Sequence, residues 1–429
     1  IQLPAGNFVY GTSGDGHSTL LDAYNKPDVH IKGMGSGPNG TRLYRDVETP
    51  EWMLNVYGSS SSGAYEAPIE ISDIWFQAME TRLHEGDAGS DYGDFRGLAL
   101  RAAEPYVHDC RFEYFSARAI GVSHHHGKGL GLISNNEFVD NIALESDGNP
   151  SRGYGVGVGT WGDDSSWSPA APGSEDFVFV EDNLFSGLRH AIAGGQNGLY
   201  VFRHNYVERM TANSMVDMHG GYNPAVNPDY TYSCRFTEIY ENTFVATPRS
   251  DPMYESYDMR AVGIRGGESV VYNNTLKDYP RYALHMRIEA SWYNDGVYGI
   301  PSDYDVPAYP LPHQSGWESG SQYGWNHTGT DPAAEGAGDV FMWGNDFIDC
   351  DDTPFDIASP FTYDGVEYDY LQEGRDYHLG VQRPGYEPYD YPHPRRMEKV
   401  GSCLPRDSAR CLGGDVYWFD SCRYPGGVK

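Results

Sequence analysis

The chain has 429 residues, of which 52 are glycine, 34 tyrosine and 39% hydrophobic, and its formal net charge is −31. No apolar run is long enough to span a bilayer, and an acidic surface excludes a nucleic-acid backbone as partner, because phosphate binding needs a basic patch. A turn-rich, all-β protein that attracts cations remains.

In chain order, strands are expected at 2–10 and 28–32, forming a cap that runs into a first coil. "PIEISDIWFQ" (68–77) and "FRGLALRA" (95–102) continue with alternating apolar residues, the period of a strand with one buried face. A short turn then recurs: "DCRF" at Asp109, "NNEF" at Asn135, "DNLF" at Asp182, "HNYV" at His204, "ENTF" at Glu241, "NNTL" at Asn273 and "GNDF" at Gly344. Its second position reads Cys110, Asn136, Asn183, Asn205, Asn242, Asn274 and Asn345. Asparagine suits a turn because it tolerates the left-handed conformation, and stacked asparagines can form a ladder.

After each turn a strand follows whose first inward residue is Ile120, Val156, Ile192, Val216, Val262, Leu284 or Phe355. Self-similarity built from strand-sized pieces predicts one right-handed parallel β-helix over residues 1–395. Insertions are expected at 159–176, 220–233 and 289–337, rising as walls beside the strands they follow. Their Trp161, Tyr222 and Asn223 are of types that stack on and bond to sugar rings. The tail, 396–429, holds Cys403, Cys411 and Cys422 and reads as a disulfide-stapled extension closing the open end. Full pairing with Cys110, Cys234 and Cys350 would require at least one bridge from tail to body. An oxidising compartment, and sequons at Asn39, Asn273 and Asn326, fit an exported protein whose upstream part is expected to have been processed or to be missing from this sequence.

Four strands of equivalent pattern, "HAIAGG", "SMVDMHGG", "RAVGIRGG" and "YALHMRI", carry the candidate site. If Ile192, Val216, Val262 and Leu284 point inward, then Asp217, His219, Arg265, His285 and Arg287 point outward together. Upstream, the same face shows only Gly121, Gly157, Gly159, Ala193 and Gly195. A base, an acid and an arginine clamp are what proton abstraction next to a uronate carboxylate requires. His219 is the expected base, held by Asp217, with Arg265 or Arg287 as clamp and His285 as acid. Arg189 and Arg260 border the patch as substrate-binding groups, while alternation turns His190 inward. No metal ligand is assigned. Ca²⁺ is the candidate cofactor at Asp349, Asp351 and Asp352, and "SHHHGKG" (123–129) is a weaker metal motif.

The opening "IQLPAGNF", the Asn-x-Phe turns, "RHAIAGG" followed by "DMHGG", and "YEPYDYPHP" together resemble the right-handed parallel β-helix proteins of the extracellular carbohydrate-active type. These include pectate-lyase-like lyases and the alginate lyase and epimerase groups. The resemblance implies the fold for most of 1–395. Asp217 and His219 match the spacing of the Asp-x-His element of mannuronan epimerases, but Met218 and Gly220 stand where that motif has proline and a second aspartate. The expected protein is an extracellular β-helix that binds a polysaccharide, uronate-containing by this reading, and cleaves it by elimination or epimerises it. The alternative is a non-catalytic structural or adhesive surface protein, assembled as an oligomer or filament.

Overall fold

The computed structural model describes residues 1–10, 21–24, 29–45, 52–57, 68–78, 95–101, 104–124, 131–144, 150–160, 170–195, 198–211, 214–220, 234–251, 259–286, 339–350, 355–357, 361–363, 366–368, 371, 373–374, 376–397, 408–412, 415–419 and 425–428. Thirty of their strands fall into three parallel sheets of ten, each successive coil adding one strand to every sheet. Sheet I runs from Gly6–Tyr10 to Asp346–Ile348, sheet II from Leu21–Tyr24 to Phe355–Ile357, and sheet III from Val29–Lys32 to Tyr377–Leu379. The expected all-β solenoid is therefore what forms, with one short helix, Pro394–Met397, among the described residues. Ser408–Leu412, Asp415–Phe419 and Pro425–Val428 make a separate antiparallel sheet.

The recurrent turn is the corner between sheets III and I, and it works differently from the expectation. The left-handed residue is the first of the tetrad, not the asparagine: Asp109, Asn135, Asp182, His204, Glu241, Asn273 and Gly344 all have φ between 52° and 62°. This frees the second residue to turn inward. Asn136, Asn183, Asn205, Asn242 and Asn274 are buried, and each carboxamide oxygen accepts the amide N–H of the residue one coil earlier at 2.9–3.1 Å. Each carboxamide NH₂ donates to backbone carbonyls and to the next asparagine, so a polar ladder runs satisfied through the interior. Cys110 begins the ladder. Beside it Phe76, Phe112, Phe138 and Phe185 stack with centroids 4.6–5.1 Å apart, the spacing that parallel strands impose.

Two sequence expectations change here. The 68–77 run is two strands, Pro68–Ser72 in sheet III and Ile74–Gln77 in sheet I, separated by a corner at Asp73 (φ 61°). The alternation does break there, because Ile69 and Ile71 but then Ile74 and Phe76 are buried. Cys110, Cys234 and Cys350 carry thiols, so no bridge joins the tail to the body; Cys403 and Cys422 lie outside the described residues. The Tyr- and Pro-rich run, assigned no position from the sequence, packs on the flank of the solenoid. Residues 383–396 pass back along the outer face of sheet III, from Glu268, bonded by Arg383 at 3.0 Å, to the Glu104 carbonyl, which accepts from Arg395 at 3.0 Å. Between them Tyr386 donates to Glu238 at 2.6 Å, and Arg203 donates to the Tyr389 and Asp390 carbonyls. Arg203 also pairs with Glu181 at 2.7 Å, both fully buried, and Arg396 binds the same carboxylate. These charges form a covered clasp.

Candidate functional site

On sheet II the expected register is observed. Ile192 pairs with Val216, Val216 with Val262, Val262 with Leu284 and Leu284 with Phe355, all buried except the half-buried Phe355. One position along, the outward column reads Ala193, Asp217, Gly263, His285 and Asp356. Two positions further, the ladder continues past the strand ends through His219 N–H to the Gly194 carbonyl (2.8 Å) and Arg265 N–H to the Met218 carbonyl (2.9 Å). That places Gly195, His219 and Arg265 in a second outward column.

The two columns meet at Asp217. Its Oδ1 accepts from Arg265 Nε at 3.0 Å, and its Oδ2 accepts from Arg265 Nη2 and lies 3.0 Å from His219 Nε2. Burial alone would raise the carboxyl, but the Arg265 guanidinium and then His219 overcome it and hold Asp217 well below the usual carboxylate range. Arg265 Nη2 also lies 2.8 Å from His219 Nδ1. The trio is graded in accessibility: the side chains are 2% exposed at Asp217, 12% at Arg265 and 29% at His219, so His219 is the member a solute can reach.

Gly263 is required by this packing. A Cβ there would come within 2.1 Å of Ser214 Oγ. The glycine floor upstream is only partly bare, contrary to expectation: a Cβ on Gly121 would meet the Trp52 ring at 2.5 Å, and one on Gly157 the Arg118 side chain at 3.1 Å. Gly195 is different, since a Cβ there would meet nothing nearer than His219 Cβ at 3.5 Å. The open ground is thus beside His219, one coil before it.

His285 belongs to a neighbouring cluster. It shares Asp217's column two coils on, about 10 Å away at the strand spacing, but it is buried and its Nε2 lies 3.2 Å from Asp356 Oδ2. An imidazole buried against a carboxylate does not fit the expected role of acid at a leaving oxygen. Arg260 is also buried, with Nη2 4.0 Å from the same Asp356 oxygen. Asp356 was not anticipated, although the pattern that made Phe355 inward places the next residue outward. Arg189 is half-buried at the strand start, where its N–H donates to the Gly153 carbonyl at 3.0 Å. His190 is buried, its Nδ1 bonded to the Ser214 carbonyl and its ring stacked on Tyr154 at 5.1 Å. Desolvation pushes it down to about 3, so it is neutral. Arg287, Trp161, Tyr222 and Asn223 lie outside the described residues, as do Asp351, Asp352 and most of the 123–129 histidine tract. Among the described residues no group of three or more His, Cys, Asp or Glu side chains could hold a metal ion, and no helix is long and apolar enough to cross a membrane.

No family model and no curated protein matches this chain. Among solved structures, the catalytic domain of a GH87 alpha-1,3-glucanase in complex with nigerose aligns with 89% of this chain at 10% identity and a TM-score of 0.30. A variant of that domain with nigerose aligns at 11% identity and 0.28. The chain spans 63% of the length of those domains, and the likeness is too loose to transfer a substrate or a residue's role.

Proposed function

We propose that the outer face of sheet II around Asp217, His219 and Arg265 binds a polysaccharide and that His219 removes a proton from a uronate ring, making this an exported polysaccharide lyase or epimerase. The observation that carries the reading is the ordered trio, in which a carboxylate held ionised by Arg265 orients an imidazole that solvent can reach. With Nε2 directed at Asp217, the basic nitrogen of His219 is Nδ1, which rests 2.8 Å from Arg265 Nη2. A uronate carboxylate competes for that guanidinium. As Arg265 turns to it, Nδ1 is released beside the substrate and takes the proton alpha to the carboxylate, while the guanidinium offsets the charge of the enolate-like intermediate. Expulsion of the glycosidic oxygen leaves an unsaturated ring; return of a proton to the opposite face gives the epimer.

Hydrolysis by a carboxylate pair suits the face less well. Asp217 and Asp356 are three coils apart in one column, about 14 Å at the strand spacing, beyond the separation of about 6.5–9.5 Å that leaves room for one water. A carboxyl held ionised by Arg265 is also a poor proton donor.

The test is incubation with a panel of uronate polymers while following the ultraviolet absorbance of unsaturated product and, by NMR, ring inversion. His219→Ala should lower turnover by about 10²-fold or more with the melting temperature unchanged. Turnover that survives the substitution removes His219 as base. Reducing ends formed without unsaturation or inversion would overturn the proton-abstraction reading.

A further inference from the structure

Sheet I carries a cleft of its own, far from Asp217. A cleft of about 490 Å³ opens on its outer face, lined by the 35–38 turn with Trp75, Arg111 and Glu137. That volume lies in the range of small-molecule sites, about 300–1,000 Å³. Trp75 sits on the third strand of sheet I, whereas Asp217 sits on the seventh of sheet II, so the two sites are separated by four coils and a corner of the solenoid.

We propose that this cleft is a binding site for one or two residues of a neutral glycan chain. Its charge balance excludes strongly charged ligands. The Arg111 guanidinium is shared between Glu113 at 2.7 Å and Glu137 at 3.0 Å, so an anion meets a cation already compensated and a cation meets the guanidinium. What the lining offers is donors and acceptors side by side: guanidinium N–H groups, a carboxylate, the Ser36 hydroxyl and turn amides, the pattern that pairs with vicinal hydroxyls. Trp75 adds an apolar edge to the lining, since its ring faces are taken by the guanidiniums of the flanking strands. The guanidiniums of Arg42 and Arg111 lie over its ring at 4.9 and 5.6 Å and hold it in place.

The site is also built in advance. Gly40 N–H donates to the Gly37 carbonyl and Thr41 N–H to the Gly35 carbonyl, each at 2.9 Å, closing the turn. Gly35 adopts φ +111°, which a side chain would strain, so the glycine belongs to the turn's shape. A ligand entering here need not order the loop first, which lowers the entropic cost of binding.

Gly37 provides the means of testing it. A Cβ added there meets no atom within 4 Å and the backbone is not in the left-handed region, so Gly37→Phe is expected to obstruct the cleft it lines without straining the turn. Affinity electrophoresis through native gels containing xylan, mannan, β-glucan or galactan, with alginate and polygalacturonate as charged counterparts, reads the binding directly. The expected result is retardation by at least one neutral polymer, weakened about tenfold by Gly37→Phe and measurably by Glu137→Gln, with melting temperatures matched to the wild type. Retardation by charged polymers alone, by none, or equally in Gly37→Phe would overturn the proposal. Product formation from soluble uronate oligosaccharides is expected to be the same in Gly37→Phe as in the wild type, so failure here and failure at His219 are read separately.

Discussion

On sheet III the Glu181–Arg203 pair is fully buried beneath residues 383–396, whereas on sheet II the buried Asp217 is joined through Arg265 to a histidine that keeps 29% of its surface in solvent. Both faces carry carboxylates and guanidiniums at neighbouring coils. What differs is the covering. On sheet III three carboxylates meet a partner from the returning chain: Glu181 from Arg396, Glu238 from Tyr386, Glu268 from Arg383. Its ion pairs are closed, and their desolvation is offset only while the 383–396 segment stays in register. On sheet II the trio is satisfied among its own members and one of them still faces outward. The titration behaviour follows the partner and not the face, since Arg203 and Arg396 hold buried Glu181 below its usual range as Arg265 does Asp217. Burial raises Glu238 despite the Tyr386 hydroxyl, while the same burial at Asp217 is outweighed by a full guanidinium charge.

The contrast can be tested by removing one cation from each face. Arg203→Met leaves Glu181 buried with half its partners, and unfolding free energy measured in denaturant should fall by about 3–5 kcal/mol. Arg265→Gln is expected to cost less, about 1–3 kcal/mol, because His219 still contacts Asp217 and water has access. Equal losses would mean that the two faces are sealed alike and that the sheet II trio is only structural. The smallest effect concerns pH. His190 is held neutral with its folded value at about 3, below the unfolded value of about 6.5. Only the unfolded chain therefore gains a proton as pH falls between those limits, so His190 contributes stability that is present above about 6.5 and declines towards about 3. His190→Gln should flatten that part of the stability profile, seen as denaturation midpoints that change less between neutral and acidic buffer. An unchanged slope would show that His190 titrates alike in both states.

Much of the site was legible because a parallel solenoid turns sequence spacing into spatial stacking. Once Ile192, Val216, Val262 and Leu284 were aligned, the convergence of Asp217, His219 and Arg265 followed from strand alternation alone. The same alignment overreached at His285, which has the right column but is buried and bound to Asp356. Alternation says which way a side chain points and nothing about what lies over it. Trp52 and Arg118 illustrate this: glycines that read as bare floor are covered by side chains from earlier positions of the same sheet. The corner residue was also misplaced by one, since asparagine's tolerance of the left-handed region is real but here its value is the inward carboxamide, a role visible only when the coils are stacked.

From its residues alone, then, this chain determined that it would stack as coils, which residues face the core and which columns hold charge, because all of these depend on contacts repeated at a near-constant spacing. The tertiary structure alone decided which charges are covered and which remain open. That outcome depends on a segment near residue 390 bonding to residues 180–270, and on the reach of Arg265 across one strand to Asp217. Such pairings join positions with no periodic relation, so the free energy of burying or exposing each group is set only when the chain has closed upon itself.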